Sequence, residues 1–523
     1  MALTSRQKMG AAAIIMAGSV LLSRFMGLFR DKIISWQFGT GSEADIYFAA
    51  FVVPDFLNYL LAGGYISITL IPLLSKRFEE DENDGWNFFS AVFLWCTLSI
   101  FLLSCLAWLA ASELAPLVAP GFTSDQWARL AFFLRIILPA QVFFLPGACL
   151  CGILYIRHQF MVPALMPLIY NGAILVMGIV LPKLGLVQGM EGFCWGVTVG
   201  AALGAFTLPL MAVHQGGLHI KAVFRHPLLK KFLLLALPLM IGQSVVVLDE
   251  QFVRIFGSMA GDGAVSMLNY ARRIMMVPVG VVAQAAGVAS FPFLAALAAK
   301  GHMDEFRNTL HQTVQNSMIV AIPISVWMIA SSCPILGFIF EGGQFSPSHT
   351  AGAAPLLQVM LLAVPFWLLQ QVTGRAFYAM EDTITPAAVG TVLTLLAIPG
   401  YYLLIPAAGV LGVAIVTTAA IACYALILIF IACRRWAKGT FTGIWNTAWQ
   451  SALLSSPGCA LMLAIAYIGP EIMKSWPLLM QQFLILSFGG MLFLLSWLVL
   501  ARFFHRDYFD IIADPFLRRL RRS

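Results

Sequence analysis

Charge is what this 523-residue chain has least of: Asp, Glu, Lys and Arg make up 11% of it, against about a quarter in soluble domains. The stretches between its apolar segments are too short for a soluble catalytic domain. No nucleotide-binding loop, metal-ligand cluster or catalytic triad appears, so an enzyme is the least favoured class and no metal or organic cofactor is called for. The eight histidines are scattered, mostly at loop positions such as His158 and His226. Cysteines are few, nine in all, and nearly all lie inside apolar segments. Their spacing suits no zinc site, and Cys149 and Cys151, two apart on a helix, cannot close a disulfide. They read as small packing residues. The N-terminal MALTSRQKMG runs into an apolar span without a small-residue cleavage motif, so no removable signal peptide is expected.

What is present is hydrophobic length. Sixty per cent of residues are hydrophobic and mean hydropathy is +0.88. The apolar runs have the length of membrane helices rather than of barrel strands. They predict an all-α polytopic membrane protein of fourteen helices, near 11–36, 44–74, 87–112, 130–155, 163–182, 191–213, 232–257, 265–299, 312–333, 352–378, 386–405, 410–433, 446–468 and 478–501. With both termini cytoplasmic, nearly all loop Lys and Arg fall on that side, leaving Arg129, Lys183 and Lys474 opposite. This distribution is the positive-inside pattern. It also assigns the net charge of +7 to topology, so no nucleic-acid partner is expected. The terminal LRRLRRS is a basic patch suited to anionic membrane lipid.

An internal repeat is legible. Asp45-IYFAAFVV-Pro54 resembles Asn269-YARRIMMV-Pro278, 224 residues on, and Gly152-ILYIRHQFMV-Pro163 resembles Gly374-RAFYAMEDTIT-Pro386 at nearly the same offset. The repeat predicts two parallel six-helix lobes with two appended helices, an architecture in which transporters place the substrate site between the lobes.

Against this background the charges inside helices stand out. The first helix carries Arg24, Arg30, Asp31 and Lys32, and an arginine at a membrane centre costs about 2.5–3.5 kcal/mol on insertion scales. Arg24 and Asp31 are seven apart and share a helix face. A bend at Gly27 would turn Arg24 and Arg30 towards one cavity. Arg272 and Arg273 sit in the second half; Asp249, Glu250 and Arg254 sit in the seventh helix. Arginine's planar fork matches phosphate oxygens and keeps its charge in a low-dielectric cavity. The pattern points to an anionic substrate, a phosphate or pyrophosphate. The competing reading is structural ion pairing, Arg24 with Asp31 and Arg254 with Asp249 or Glu250. Gly63 and Gly64, in the long second helix, are hinge positions together with Gly27.

At SRFMGLFRD (23–31) and ADIYFAAFVVPDFL (44–57) the chain resembles the MurJ (MviN) family of lipid II flippases, within the multidrug/oligosaccharidyl-lipid/polysaccharide exporter superfamily. YARRIMMVPVGV (270–281), FEGGQFS (340–346) and GRAFYAMEDTITP (374–386) extend the match in order. The resemblance implies an N-lobe at 1–215, a C-lobe at 216–435, a groove for the undecaprenyl tail on helices 13 and 14 at 436–503, and a basic cytoplasmic tail at 504–523. It places head-group and pyrophosphate binding or gating on Arg24, Arg30, Asp31, Asp45 and Arg273, with Arg272 beside them. Asp249 and Asp382 are the positions for a coupling cation such as Na+, with the membrane potential as the other drive.

The chain departs from the family's pattern at Asn58-Tyr59, Gly63-Gly64, Arg272 and Met276, where charge is rearranged. The expected function is translocation of lipid II across the bacterial cytoplasmic membrane by alternating access, in peptidoglycan biosynthesis. The alternative is another polyprenyl-linked oligosaccharide. A drug/cation antiporter would want an acidic cavity, and a non-transporting scaffold for cell-wall synthesis proteins would not need the arginines.

Overall fold

The computed structural model describes residues 5–62 and 69–511. Gly63, Gly64 and the end of the basic tail lie outside them. The chain divides into two compact units, Met1–Ser266 and Met267–Ser523. The first holds α1 (Ser5–Phe38), α2 (Ser42–Ala49), α3 (Val52–Ala62), α4 (Ile71–Glu80), α5 (Glu82–Leu109), α6 (Ala111–Val118), α7 (Ser124–Ile137), α8 (Gln141–Ile156), α9 (Met161–Lys183), α10 (Glu191–Gly200), α11 (Leu208–Gln215) and α12 (Pro227–Gly257). Next, α13 (Ala264–Pro278) runs across the boundary. The second unit continues with α14 (Gln284–Ala299), α15 (Met303–Ala330), α16 (Ser332–Phe340), α17 (Pro347–Leu361), α18 (Val364–Ala379), α19 (Ile384–Ala408), α20 (Val410–Arg435), α21 (Ile444–Ile472) and α22 (Leu478–Phe504).

Taking α2–α4, α7–α8, α10–α11, α13–α14 and α17–α18 as interrupted single passes, the described helices make fourteen passes, α6 and α16 being short extras. Among the described residues, ten segments are long and apolar enough to cross a membrane. The all-α polytopic fold expected from the hydropathy is therefore present. The order of elements also runs twice: a long helix, a short one, a broken pass, a long helix and one further pass, as α5 to α11 and again as α15 to α20. In chain order α12 opens the second round, yet it packs against α3 in the first unit.

Several passes read as continuous are broken. The second stops at Ala50–Phe51 between α2 and α3. The fourth turns through a 3₁₀ segment at Leu138–Ala140, and the eighth widens to a π-helical stretch at Val279–Ala283, directly after Pro278. Proline removes an N–H and crowds the carbonyl four residues back, so Pro278 and Pro365, at the start of α18, coincide with breaks. Pro146 and Pro292, by contrast, sit inside α8 and α14. Conversely α1 runs unbroken through Gly27.

Starts are set by capping. Thr123 and Gln126 form a capping box at α7, Asp81 accepts from the Asn83 N–H at α5, and the His226 ring accepts from the Leu228 N–H at α12.

One close helix contact in the first unit is a glycine stripe. Gly192, Gly196, Gly200 and Gly204, each four apart, share one buried face of the sixth pass. A Cβ on them would lie 2.8 Å from the Met177 carbonyl oxygen, 2.5 Å from Ile174 Cα, 2.9 Å from the Tyr170 oxygen and 3.0 Å from the Met166 oxygen. Those positions step back along α9 at the same pitch, so two backbones meet directly. Between helices in lipid, where apolar side chains gain little by leaving lipid tails, such close approach supplies the attraction. Gly196→Val should lower stability by about 1–3 kcal/mol, the usual cost of overpacking. Gly27→Ala, where the added methyl meets nothing within 4 Å, should leave it unchanged. Thermal midpoints of the two purified variants in one detergent check this.

Candidate functional site

On α1 the charges are held differently from one another. Asp31 is fully buried. The Arg30 guanidinium reaches back to it, with Nε at 3.1 Å and Nη2 at 2.9 Å from Oδ1. Its Nη1 donates to Oδ1 of Asn171 on α9 at 3.4 Å, and the Asn171 amide donates in turn to the Pro167 carbonyl. A part-buried arginine so fixed keeps its charge at one place with little freedom left to lose on binding. Arg24, two turns earlier, is exposed on the same helix. The pair formed across the face is thus Arg30–Asp31, from adjacent residues, with Asn171 as a third member that sequence spacing did not reveal.

Asp45 lies on α2 and is 1% exposed. Both of its carboxylate oxygens accept backbone N–H groups at 2.7 Å, from Gly263 and from Ser266 in the first turn of α13. A carboxylate over a helix N-terminus satisfies unpaired donors and faces the positive end of the dipole. Its neighbours aim it there. Glu43 takes a forked contact from Arg129, with Nε at 2.8 Å and Nη2 at 3.3 Å, while Arg129 Nη1 reaches Glu191 at 2.6 Å. That one guanidinium, which the sequence placed only as a loop charge, ties α7 to the first turns of α2 and α10. Gln126 adds bonds to Ser42 and Asp262.

The seventh-helix set is an ion-pair network. Arg254 Nη1 lies 2.7 Å from Asp55 Oδ2 on α3, and Nη2 lies 2.8 Å from Glu250 Oε1. Glu250 was one of the two partners anticipated from sequence. Asp55, 199 positions away, was not.

In the second unit Arg272 is 7% exposed on α13, while Arg273 beside it is exposed. Asp382 sits in the loop between α18 and α19. It accepts from the Thr385 N–H at 2.9 Å and the Thr385 hydroxyl at 2.6 Å, and pairs with Arg435 at 2.7 Å. Burial alone would raise its pKa, but the two Thr385 bonds and the Arg435 charge prevail and hold it below the ordinary carboxylate value. Its oxygens are already engaged by donors, and the guanidinium would repel a cation there. Asp249, the other position considered for a cation, is on α12 in the first unit.

A family model described as "Lipid II flippase MurJ" matches residues 34–504. The probable lipid II flippase MurJ of Rhizobium meliloti (strain 1021) is 30% identical over 379 residues, 71% of this chain and 70% of that protein. That of Rhizobium tropici is 27% identical over 507 residues, 94% of this chain and 92% of its own. Among solved structures, a lipid II flippase MurJ in an inward closed conformation aligns with TM-score 0.76 at 24% identity, over 94% of this chain and 99% of that one. An inward-facing multidrug resistance MATE family transporter of the MOP superfamily aligns with TM-score 0.66 at 15% identity, over 82% of this chain and 99% of that one. At these identities the two structures speak to the fold.

Two outcomes follow from the ion pairs. Arg254→Ala strands Asp55 and Glu250 and should cost about 3 kcal/mol. Adding Asp55→Leu and Glu250→Leu should recover much of it, read as thermal midpoints in a mutant cycle. Asp382, whose folded pKa is depressed, stabilises above its unfolded value near 4 and stops doing so as pH falls through the folded value. Asp382→Asn should therefore lower stability at pH 7, by about 1 kcal/mol at most because the pair is partly exposed. The gap to the parent should close as the melts are taken from pH 5 to pH 3.

Proposed function

Because this chain belongs to the MurJ family of lipid II flippases, we propose that it carries lipid II from the inner to the outer leaflet of the bacterial cytoplasmic membrane by alternating access. The observation that carries this reading is the family match over residues 34–504. The arginines embedded on α1 and α13 supply the chemistry. An undecaprenyl pyrophosphate needs donors that stay charged away from water, and Arg24, Arg30 and Arg273 are such donors. Arg30, clamped by Asp31 and Asn171, serves as the fixed contact, and the exposed Arg24 and Arg273 as the ones that meet the ligand first. The polyprenyl tail stays in lipid along α21 and α22, which pack on each other and expose Leu453, Leu461, Phe488 and Leu495. Both termini face the cytoplasm in this reading, as the basic loops require.

For the drive, the engagement of Asp382 by Thr385 and Arg435 favours the membrane potential over a Na+ site at Asp249 and Asp382. Each charge moved through 100 mV is worth about 2.3 kcal/mol. A different polyprenyl-linked glycan remains the second reading, because the buried Arg272 and the uncharged Asn58 rearrange charge relative to the family.

The test is rescue of cells depleted of their own lipid II flippase. The parent chain should restore growth, and Arg24→Ala, Arg30→Ala and Arg273→Ala should not, at equal membrane levels. A well-expressed parent that fails to rescue transfers the assignment to another lipid-linked glycan.

A further inference from the structure

Arg375 is an embedded arginine outside the ion pairs of α1, α7 and α12. It lies on α18, within Pro347–Ala379, a segment apolar enough to cross a membrane. Its Nε is buried without a hydrogen-bond partner, and no carboxylate among the described residues pairs with it. The side chain rests on Gly287 of α14, where a Cβ would come within 2.8 Å of Nε and 3.0 Å of Cδ. Glycine is what leaves room for the guanidinium to lie against the neighbouring backbone.

The rest of that face is of one chemical kind. Gln371 is four residues earlier and Trp367 eight, while Tyr378 follows by three, so all four share one side of the helix. The Trp367 Nε1 is buried without a partner, and Tyr378 is exposed. Guanidinium, amide, indole N–H and phenol together offer hydrogen-bond donors along about 16 Å of helix. A snorkelling arginine buries its stem and carries all its nitrogens to water; here Nε itself is sealed, four residues short of the helix end. An uncompensated charge at such a place is retained where it faces a ligand.

We propose that Arg375 binds a lipid-borne phosphate, with Gly287 making its seat and Trp367 and Gln371 supplying further donors to the same ligand. Taken as the pyrophosphate of the carried substrate, this rests on the flippase reading. The same chemistry fits the headgroup phosphate of a resident anionic phospholipid, and the probes separate the two.

The full-length chain, purified in detergent, is titrated with undecaprenyl pyrophosphate and, separately, with phosphatidylglycerol. Arg375→Gln should weaken undecaprenyl pyrophosphate at least tenfold and leave phosphatidylglycerol within twofold. Arg375→Lys, charged but without the fork, should fall between. Gly287→Ala should weaken binding several-fold with no change of charge. Without ligand, Arg375→Gln should melt at or above the parent's midpoint, whereas a structural arginine would melt lower when removed. If phosphatidylglycerol alone weakens tenfold, the lipid-phosphate site stands and its occupant is a phospholipid. Unchanged binding of both probes by Arg375→Gln, or no binding of either by the parent, overturns the site. Rescue of flippase-depleted cells by the parent chain judges the flippase reading separately.

Discussion

A charge placed among apolar helices must be matched by a partner or by a ligand, because neither lipid nor packed side chains can solvate it. That constraint orders this molecule. Arg30 is matched by Asp31 and Asn171, Arg254 by Asp55 and Glu250, Arg129 by Glu43 and Glu191. Each match joins elements distant in sequence, so each ion both costs desolvation and fixes which helices meet. With those accounted for, an embedded arginine without a counter-charge becomes informative, and Arg375, whose Nε has no hydrogen-bond partner, is one such residue.

The backbone follows a parallel logic. Helices that approach closely do so through missing side chains, as the four glycines of the sixth pass lie along α9. Helices that break do so beside proline, as at Ala50–Phe51, just before Pro54, and after Pro278. Asp45, in the first turn of α2, accepts from the N–H groups of Gly263 and Ser266. In this way a carboxylate with the sequence signature of a binding residue is engaged as a helix cap. In the proposed function the exposed Arg24 and Arg273 meet the ligand, on helices otherwise suited to lipid.

The all-α membrane architecture, the number of passes, the twofold order of elements and the identity of the embedded charges were legible in the sequence by itself. Each depends on local composition and on periods of a few residues, and a hydrocarbon slab imposes helix length directly. The partner of each charge was not legible. Asn171 for Arg30, Asp55 for Arg254, the pair of glutamates for Arg129 and the seat of Arg375 on Gly287 join residues dozens to hundreds apart. Helix periodicity says which face a residue occupies but not which helix that face meets. Only the packed fold, where a few tenths of an ångström separate contact from clash, decides that Asp45 becomes a cap, that Asp382 becomes a loop anchor and that Arg375 remains open to a ligand.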